Sequence, residues 1–307
     1  MLKCPSTRQF VTRSAFCFIL LASFPLFAQA NKNVLVVSAG PADYLMPAGG
    51  TLAQLIDQGY TVTVVAFAND EKNSEGLSPA ETRLANDADA DHAAQVLGIH
   101  EIIRLNHKSG ELSQVSSNEM RNQIFALIRY LKPRILFHPD PWVHYVPDRD
   151  QFWVGRVGEE SSYGSSKYFL AEIGRMGFPP FSVPEAYYYA VNRPYRPGEG
   201  GGPAAKFRAV DITATFARKV AALSELRTSN RAYALHVNEK LEAFGKPSPL
   251  LREVNEASAK ALVRAYAEEL AETIGKKHGF RYGEEFNYNG GGDAIPPHVM
   301  EHAKPLP

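Results

Sequence analysis

The chain has 307 residues, with 33 lysines and arginines against 33 aspartates and glutamates, so its formal charge is zero. The first thirty residues contain three basic side chains and no acidic one, which leaves the rest of the chain with a net charge of −3. Such a mildly acidic chain, without a long Lys/Arg block, has no electrostatic basis for binding nucleic acid. Both cysteines, Cys4 and Cys17, lie in the first segment. The remainder therefore has no disulfide, cysteine nucleophile or thiolate metal site.

Residues 1–30 have the pattern of a secretory signal peptide. A basic start is followed by an apolar run from Ala15 to Phe27 and by the small-x-small cleavage signature Ala28-Gln29-Ala30. The apolar run is too short to cross a bilayer, and no later stretch is long enough. We therefore expect a secreted or periplasmic protein that begins near Asn31 and has no transmembrane segment after cleavage. A retained amphipathic anchor is the alternative interpretation.

Apolar strands and amphipathic helices alternate from residue 33 onward. Buried-strand patterns occur at 34–37, 61–67, 102–105 and 134–137, with helical patterns at 51–58, 79–97 and 118–131 between them. This alternation predicts an α/β fold, namely a Rossmann-like open, mostly parallel sheet with helices on both faces.

The second half of the chain continues the same domain. Further strands are predicted at 186–191 and 209–212, a Gly/Pro loop at 194–203, and a C-terminal helical extension between Thr213 and Ile274. We expect a single three-layer domain over residues 31–289 and a loose tail over residues 290–307.

Chemistry is expected in the loops that follow the strands, because such sheets bind ligands beyond the carboxyl ends of their strands. Three loops qualify, at 38–48, 68–77 and 138–150. The candidate cleft residues in them are Gly40, Asp43, Tyr44, Asp70, His138, Asp140, Trp142, His144, Asp148 and Arg149.

Two segments carry a resemblance to a known family. The sequence VLVVSAGPADY at 34–44 and the sequence AGGTLA at 48–53 resemble the opening of the LmbE-like, PIG-L-type N-deacetylases. The likeness continues through the KPRIL segment at 132–136 and the VPDR segment at 146–149, and it covers about residues 33–157. The resemblance implies a de-N-acetylase of the GlcNAc-PI type, which removes acetyl groups from N-acetylglucosamine conjugates and related amides. It therefore also implies a small-molecule sugar or glycoconjugate ligand.

The family's two motifs, Ala-His-Pro-Asp-Asp-Glu and His-Pro-Asp-His, build a catalytic zinc site. In the family, the first motif's His and second Asp bind zinc together with a His of the later motif, and the first Asp is the base. Three protein ligands leave one zinc position for a water, which the metal acidifies while the base removes its proton.

This chain departs from both motifs at most of the chemical positions. Gly40 stands for the ligand His, Ala42 for the base, Tyr44 for the Glu, and Val146 and Arg149 for the two His of the later motif, whereas Asp43 and Asp148 are retained. Asp43 is thus the one expected metal ligand that remains. Loss of a general base alone typically removes about two to four decades of rate. We therefore expect no cofactor and a catalytically impaired pseudo-deacetylase that retains a cleft for a sugar or glycoconjugate.

A rewired site is the alternative. His138 and His144 are chemically adequate zinc ligands with a neighbouring carboxylate, which would leave the chain an active, zinc-dependent hydrolase. The simpler interpretation places His138 at a strand end and His144 on the surface. Arg149 is open to two interpretations as well, an ordinary surface residue or a cation paired with Asp43 where zinc would sit.

Other enzyme classes find less support. Gly40 and the pair Gly49-Gly50 do not form the Gly-x-Gly-x-x-Gly pattern of dinucleotide-binding folds. The sequence lacks the Gly-x-Ser-x-Gly elbow that would indicate a serine hydrolase. The acidic residues at 87, 89 and 91 beside His92 scatter around a predicted helix, which favours a solvated helix face over a metal cluster.

Overall fold

The computed structural model describes residues 31–141, 148–162, 169–191 and 206–290. The strands in these ranges are β1 (Asn33–Ser38), β2 (Thr61–Ala68), β3 (Glu101–His107), β4 (Ile135–Pro139), β5 (Glu185–Tyr189), β6 (Lys206–Asp211) and β7 (Gly283–Gly290). The α-helices are α1 (Leu45–Asp57), α2 (Pro79–Leu97), α3 (Ser117–Leu131), α4 (Arg149–Ser162), α5 (Ala171–Arg175), α6 (Phe216–Ser224), α7 (Arg227–Ala243) and α8 (Glu256–His278). The predicted signal peptide, the Gly/Pro loop at 194–203 and the tail after residue 290 lie outside the described residues.

The strands form one mixed sheet in the order β3-β2-β1-β4-β5-β7-β6. β1 to β5 are parallel, with Val34 opposite Val62 on one side and Ile135 on the other. β7 is antiparallel to both β5 and β6. The predicted α/β class, a mostly parallel sheet flanked by helices, is confirmed. The strand order changes direction between β1 and β4, which is where a sheet of this kind forms its ligand crevice.

Alternation along β1 divides the core between the two faces of the sheet. Val34 and Val36 pack against α1 through Leu45 and Leu52. Leu35 and Val37 pack on the opposite face, against the α3 and α4 residues Ile124 and Val154. A strand that is buried on both faces has a continuous run of apolar residues, and this run at 34–37 is why β1 could be predicted from the sequence.

Helix α2 has the start and stop signals that the sequence indicated. Ser78 accepts a hydrogen bond from the Glu81 backbone N–H, and the Glu81 side chain accepts one in return from the Ser78 N–H, so the two form a capping box. Gly98 ends the helix with φ 94°, a left-handed conformation that favours glycine.

Helix α1 begins at Leu45, before the residue 51 start that the sequence predicted. The glycines at 49 and 50 are helical here because neighbouring elements pack against their bare Cα atoms. A Cβ on Gly50 would lie 2.8 Å from the Ile212 side chain. The glycine pair therefore reflects close packing inside the helix and not its start.

A buried ion pair joins α6 to β7, and its carboxylate also holds α1. Lys219 Nζ lies 2.8 Å from Glu284 Oε1, and both side chains are almost completely buried. The Glu284 carboxylate also accepts the backbone N–H groups of Gly50 and Thr51 at 2.9 and 2.8 Å. The sequence analysis missed β7, because a charged residue at a buried strand position conceals the apolar alternation.

The acidic residues of α2 make contacts within the protein, and Asp91 with His92 is also exposed to solvent. Arg104 binds Asp87 and Asp91 at 2.7 Å each. The Asp89 carboxylate accepts the Thr228 N–H at 2.7 Å, which ties α2 to the first turn of α7. These contacts hold α2 against β3 and α7. No helix among the described residues combines the length and the apolar character needed to cross a membrane.

Candidate functional site

A cavity of about 630 Å³ opens at the carboxyl ends of β1, β2, β4 and β5 and is closed on its far side by α6, α7 and α8. We call it the cleft. Its described lining residues are Ala42, Asp43, Met46, Asp70, Asn73, Pro139, Asp140, Asp148, Gln151, Tyr189, Ala190, Val191, Leu223, Leu226, Ser229, Asn230, Tyr233, Val263 and Tyr266. The volume is typical of a site for one small-molecule ligand.

The two sides of the cleft differ in chemistry. The sheet side presents four aspartates, Asp43, Asp70, Asp140 and Asp148, and none of the described lining residues is basic. The helix side is apolar and aromatic. Its most prominent feature is the pair of Tyr233 on α7 and Tyr266 on α8, whose rings stack 6.4 Å apart with an interplanar angle of 28°. These rings are 40% and 37% exposed, so their faces are available to a ligand.

Asp43 is held by the loop between β1 and α1. The Gly40 N–H donates a hydrogen bond of 2.6 Å to its Oδ2. Burial, together with the nearby Asp148 carboxylate, raises the pKa of Asp43 to about 7. A Cβ on Gly40 would lie 3.1 Å from Asp43 Oδ1. Any side chain at position 40 would therefore start directly beside this carboxylate.

Ala42 also lines the cleft, next to Asp43. Its methyl group stands where the resemblance places the general base. A methyl group neither accepts nor donates a proton, so the residue contributes shape alone at this position.

Asp70 follows β2 and adopts a left-handed backbone conformation with φ 50°. The Asn86 side chain donates a hydrogen bond of 2.9 Å to its carbonyl oxygen and fixes the turn. Burial raises the pKa of Asp70 to about 8, with a further contribution from Asp43. Near pH 7, the carboxyl groups of Asp43 and Asp70 are therefore both partly protonated.

Asp148 immediately precedes helix α4, and Asp150 lies in its first turn. Of the two, only Asp148 is among the described lining residues of the cleft. Asp148 accepts the Asp150 N–H at 2.9 Å, a helix-capping contact, and its partly desolvated carboxyl group has a raised pKa. Asp150 is buried and accepts the N–H groups of Gly110 and Leu112 at 2.6 and 3.2 Å. Asp150 therefore fastens the loop after β3 and does not face a ligand.

His138 does not line the cleft, contrary to its selection as a candidate. It is completely buried, its ring lies 4.3 Å from that of Tyr188, and a Cβ on Gly158 of α4 would be 2.8 Å from it. Burial lowers its pKa to about 4. Residue 138 belongs to the opposite face of β4 from Pro139, which does line the cleft, because side chains alternate along a strand.

Two more candidates are not among the described lining residues of the cleft. Tyr44 is fully buried in the core between the sheet and α1, where burial raises its pKa. Arg149 is exposed at the first residue of α4. Both Arg149 and Asp43 are among the described residues and no ion pair joins them, so of the two interpretations of Arg149 the structure gives no support to a cation paired with Asp43. The remaining candidates, Trp142 and His144, lie outside the described residues.

The described residues do not fit a catalytic zinc ion. Within them, no group of three His, Cys, Asp or Glu side chains is arranged to hold a metal. The cleft offers carboxylates without a histidine among its described lining, whereas catalytic zinc sites combine histidine or cysteine with at most a few carboxylates. We therefore derive no catalytic step through a metal.

Comparison with known proteins identifies the domain. Residues 35–151 match the family model described as PIG-L, GlcNAc-PI de-N-acetylase. The chain carries a PIG-L family domain. The match includes β1 to β4, α1 to α3 and the loops that supply the four cleft aspartates.

A curated relative agrees with the assignment. A diacetylchitobiose deacetylase of Thermococcus kodakarensis is 27% identical over 166 residues, which cover 53% of this chain and 61% of the relative. The match thus spans about three fifths of that enzyme's length.

Solved structures agree on the PIG-L fold over most of the chain. The N,N'-diacetylchitobiose deacetylase from Pyrococcus horikoshii, in complex with an inhibitor, has a TM-score of 0.64 at 24% identity and covers 90% of this chain and 87% of its own. The 4-carboxy-2-hydroxymuconate hydratase from Pseudomonas putida has a TM-score of 0.59 at 17% identity, covering 86% and 98%. At these identities the likeness shows the fold alone, and the hydratase illustrates that this fold carries more than one chemistry.

The geometry also reveals residues that the sequence analysis missed. The helix side of the cleft comes from α6, α7 and α8, beyond the segment in which the family motifs lie. Tyr233 and Tyr266 lie 33 positions apart in the chain, and no local pattern links them. Their only sequence signal is that each is a large aromatic residue on a mostly polar helix.

Proposed function

We propose that this protein is an exported member of the PIG-L family that binds a sugar or glycoconjugate in the cleft without zinc-dependent deacetylation. One observation carries the proposal: Ala42, at the position of the family's general base, lines the cleft beside Asp43. Gly40 at the first ligand position and an exposed Arg149 at the last support it. A cleft with this lining binds a ligand but does not activate a water by the family's route.

The sugar or glycoconjugate ligand is supported by the two sides of the cleft. Stacked, exposed tyrosine rings offer flat apolar surfaces to the C–H faces of a pyranose ring. The carboxylates opposite them accept hydrogen bonds from hydroxyl or amino groups. The two deacetylase relatives act on diacetylchitobiose by name, which makes that disaccharide the first ligand to test.

Export is supported by the basic start, the apolar run and the cleavage signature of residues 1–30. N-terminal sequencing of protein recovered from the medium or periplasm should give Asn31 as the first residue. Recovery of an exported protein that still begins at Met1 would contradict cleavage, and cytoplasmic retention would contradict export.

Three measurements on the mature protein test the proposal together. We expect calorimetry to detect binding of N,N'-diacetylchitobiose, metal analysis to find no stoichiometric zinc, and an acetate-release assay to give no turnover. The Thermococcus kodakarensis deacetylase serves as the positive control for the assay. Stoichiometric zinc with acetate release would refute the proposal and favour a site that includes His144. A protein that neither binds the disaccharide nor releases acetate would refute the sugar-binding function.

A further inference from the structure

A second cavity of about 540 Å³ adjoins the cleft and has no role in the function proposed so far. We call it the distal pocket. Its described lining residues are Ser74, Glu75, Leu77, Arg227, Thr228, Asn230, Arg231, Val254, Asn255, Glu256, Ala259 and Lys260.

The same three structural elements line both cavities, one after the other. The loop after β2 supplies 70 and 73 to the cleft and 74, 75 and 77 to the distal pocket. Along α7, the residues at 227, 228 and 231 line the distal pocket, whereas 229 and 233 line the cleft. Along α8, the residues at 256, 259 and 260 line the distal pocket, and those at 263 and 266, further along the helix, line the cleft. The two cavities are therefore consecutive segments of one groove between this loop and the α7–α8 pair.

Asn230 lines both cavities and marks their junction. It is 6% exposed, and its Nδ2 donates a hydrogen bond of 2.8 Å to the Leu223 carbonyl oxygen. The junction is thus a fixed part of the protein core and not a mobile surface side chain. A ligand long enough to fill the groove would pass over it.

The charge of the groove changes sign along its length. The described lining of the cleft contains four aspartates and no basic residue, whereas that of the distal pocket contains three basic residues and two glutamates. Lys260 pairs with Glu256 at 2.7 Å, and Arg227 pairs with Glu225 at 3.1 Å. Among the described residues, no carboxylate lies within ion-pair distance of Arg231. Arg231 is the described cation of the distal pocket that is left for an anionic partner.

We propose that the distal pocket is a second subsite for an extended saccharide, whose distal unit carries an anionic group that binds Arg231. The inference rests on the proposed sugar-binding function and adds the length and charge of the ligand. Each cavity alone has the size typical of one small-molecule site, so the groove as a whole accommodates more than a monosaccharide. An anion is favoured in the distal pocket and disfavoured in the carboxylate-lined cleft, which sets the ligand's direction.

The test compares four probes by calorimetry on the mature protein: N-acetylglucosamine, N,N'-diacetylchitobiose, and two disaccharides of N-acetylglucosamine and glucuronic acid with the acid at either end. We expect one acidic disaccharide to bind about fivefold more tightly than diacetylchitobiose, since an exposed ion pair contributes up to about that factor. Because the cleft excludes an anion, the acidic disaccharide of opposite direction should lack this gain. Added salt should reduce the gain.

Two variants locate the anion. Arg231→Met should remove the gain for the acidic disaccharide and leave the affinity for N-acetylglucosamine unchanged. The matched control is Arg264→Met, which removes an exposed arginine from α8 that lines neither cavity. The control should change neither affinity.

The possible failures are distinct. Equal affinity for diacetylchitobiose and both acidic disaccharides, or a gain that survives Arg231→Met, would overturn the second subsite and leave the sugar-binding cleft intact. Absence of binding by all four probes would overturn both the subsite and the proposed function.

Discussion

Restoring a zinc site is the sharpest test of the motif assignments. The change combines Gly40→His, Ala42→Asp and Arg149→His around the native Asp43. Gly40 does not require a left-handed backbone, and its Cβ would begin 3.1 Å from Asp43 Oδ1, so an imidazole there starts beside the retained ligand. Two histidines and one aspartate are a ligand set that suits catalytic zinc. We expect this variant to bind zinc and the native protein to bind none in the same assay.

The stability cost follows from the local packing. At Gly40 the new Cβ is tight against the Asp43 carboxylate, which corresponds to overpacking of about 1–3 kcal/mol. Arg149 is exposed, so its replacement changes stability by about 0.5 kcal/mol or less. A domain of this size loses roughly 2–4 °C in melting temperature per kcal/mol, so we expect these two replacements to lower it by about 2–14 °C without metal. Zinc at about a hundred times its dissociation constant stabilises the native state by about 2.7 kcal/mol and should restore about 5–10 °C.

Thermal melting with and without zinc, followed by acetate release from N,N'-diacetylchitobiose, checks both parts. The variant Gly40→His with Arg149→His is the matched control, since it has the metal ligands without the base at Ala42. It should show the zinc-dependent rise in melting temperature, with acetate release about two to four decades slower than the triple variant. A folded triple variant whose melting temperature does not respond to zinc would refute the assignment of Arg149 to the ligand position. In that case His144 becomes the residue to test.

Three further predictions concern the scaffold and the cleft. Lys219→Met leaves the Glu284 carboxylate buried without its cation, so urea denaturation should show a loss of about 3 kcal/mol, and adding Glu284→Gln should recover part of it. Because the pKa of Asp70 is raised from 3.8 to about 8 on folding, the native state retains a proton that the unfolded chain releases. The free energy of unfolding should therefore fall as the pH rises from about 4 to 8. Asp70→Asn should flatten this decline, and an unchanged slope would contradict the raised pKa. Tyr233→Ala should weaken binding of diacetylchitobiose about threefold to tenfold by calorimetry, whereas Tyr130→Ala, at an exposed tyrosine outside the cleft, should not.

Most of the sheet could be predicted because its signals are local. The run at 34–37 is apolar on both faces, and Ser78 and Gly98 are sequence signals for the start and the end of α2. β7 could not be predicted in the same way. Its buried Glu284 is neutralised by Lys219, which lies 65 residues earlier in the chain. A charged residue has no apolar signal, and the partner that makes its burial possible is visible only in three dimensions.

The site was predictable on its sheet side and not on its helix side. Asp43, Asp70, Asp140 and Asp148 follow or face strand ends, so the rule for parallel sheets placed them together. His138 was selected by the same rule although it lies inside β4, where alternation decides its direction. Leu136, two positions before His138, packs on the opposite face of the sheet from Phe137. Because residues two apart on a strand share a face, this alternation would have excluded His138 from the cleft.

The structure separates what shapes the cleft from what would perform deacetylation in it. The shape depends on close packing of Gly50, on the buried Glu284 that pairs with Lys219 and accepts the Gly50 N–H, and on the tyrosines of α7 and α8. None of these contacts involves Gly40 or Ala42, the positions where the family's ligand and base are replaced. The replacements at these two positions are therefore compatible with the packing that shapes the cleft. No described lining residue of the cleft is basic, so hydroxyl or amino groups of a ligand would add to the hydrogen bonds that its carboxylates accept from the protein. This charge favours a polyhydroxyl or amino compound over an acidic one at the base of the cleft.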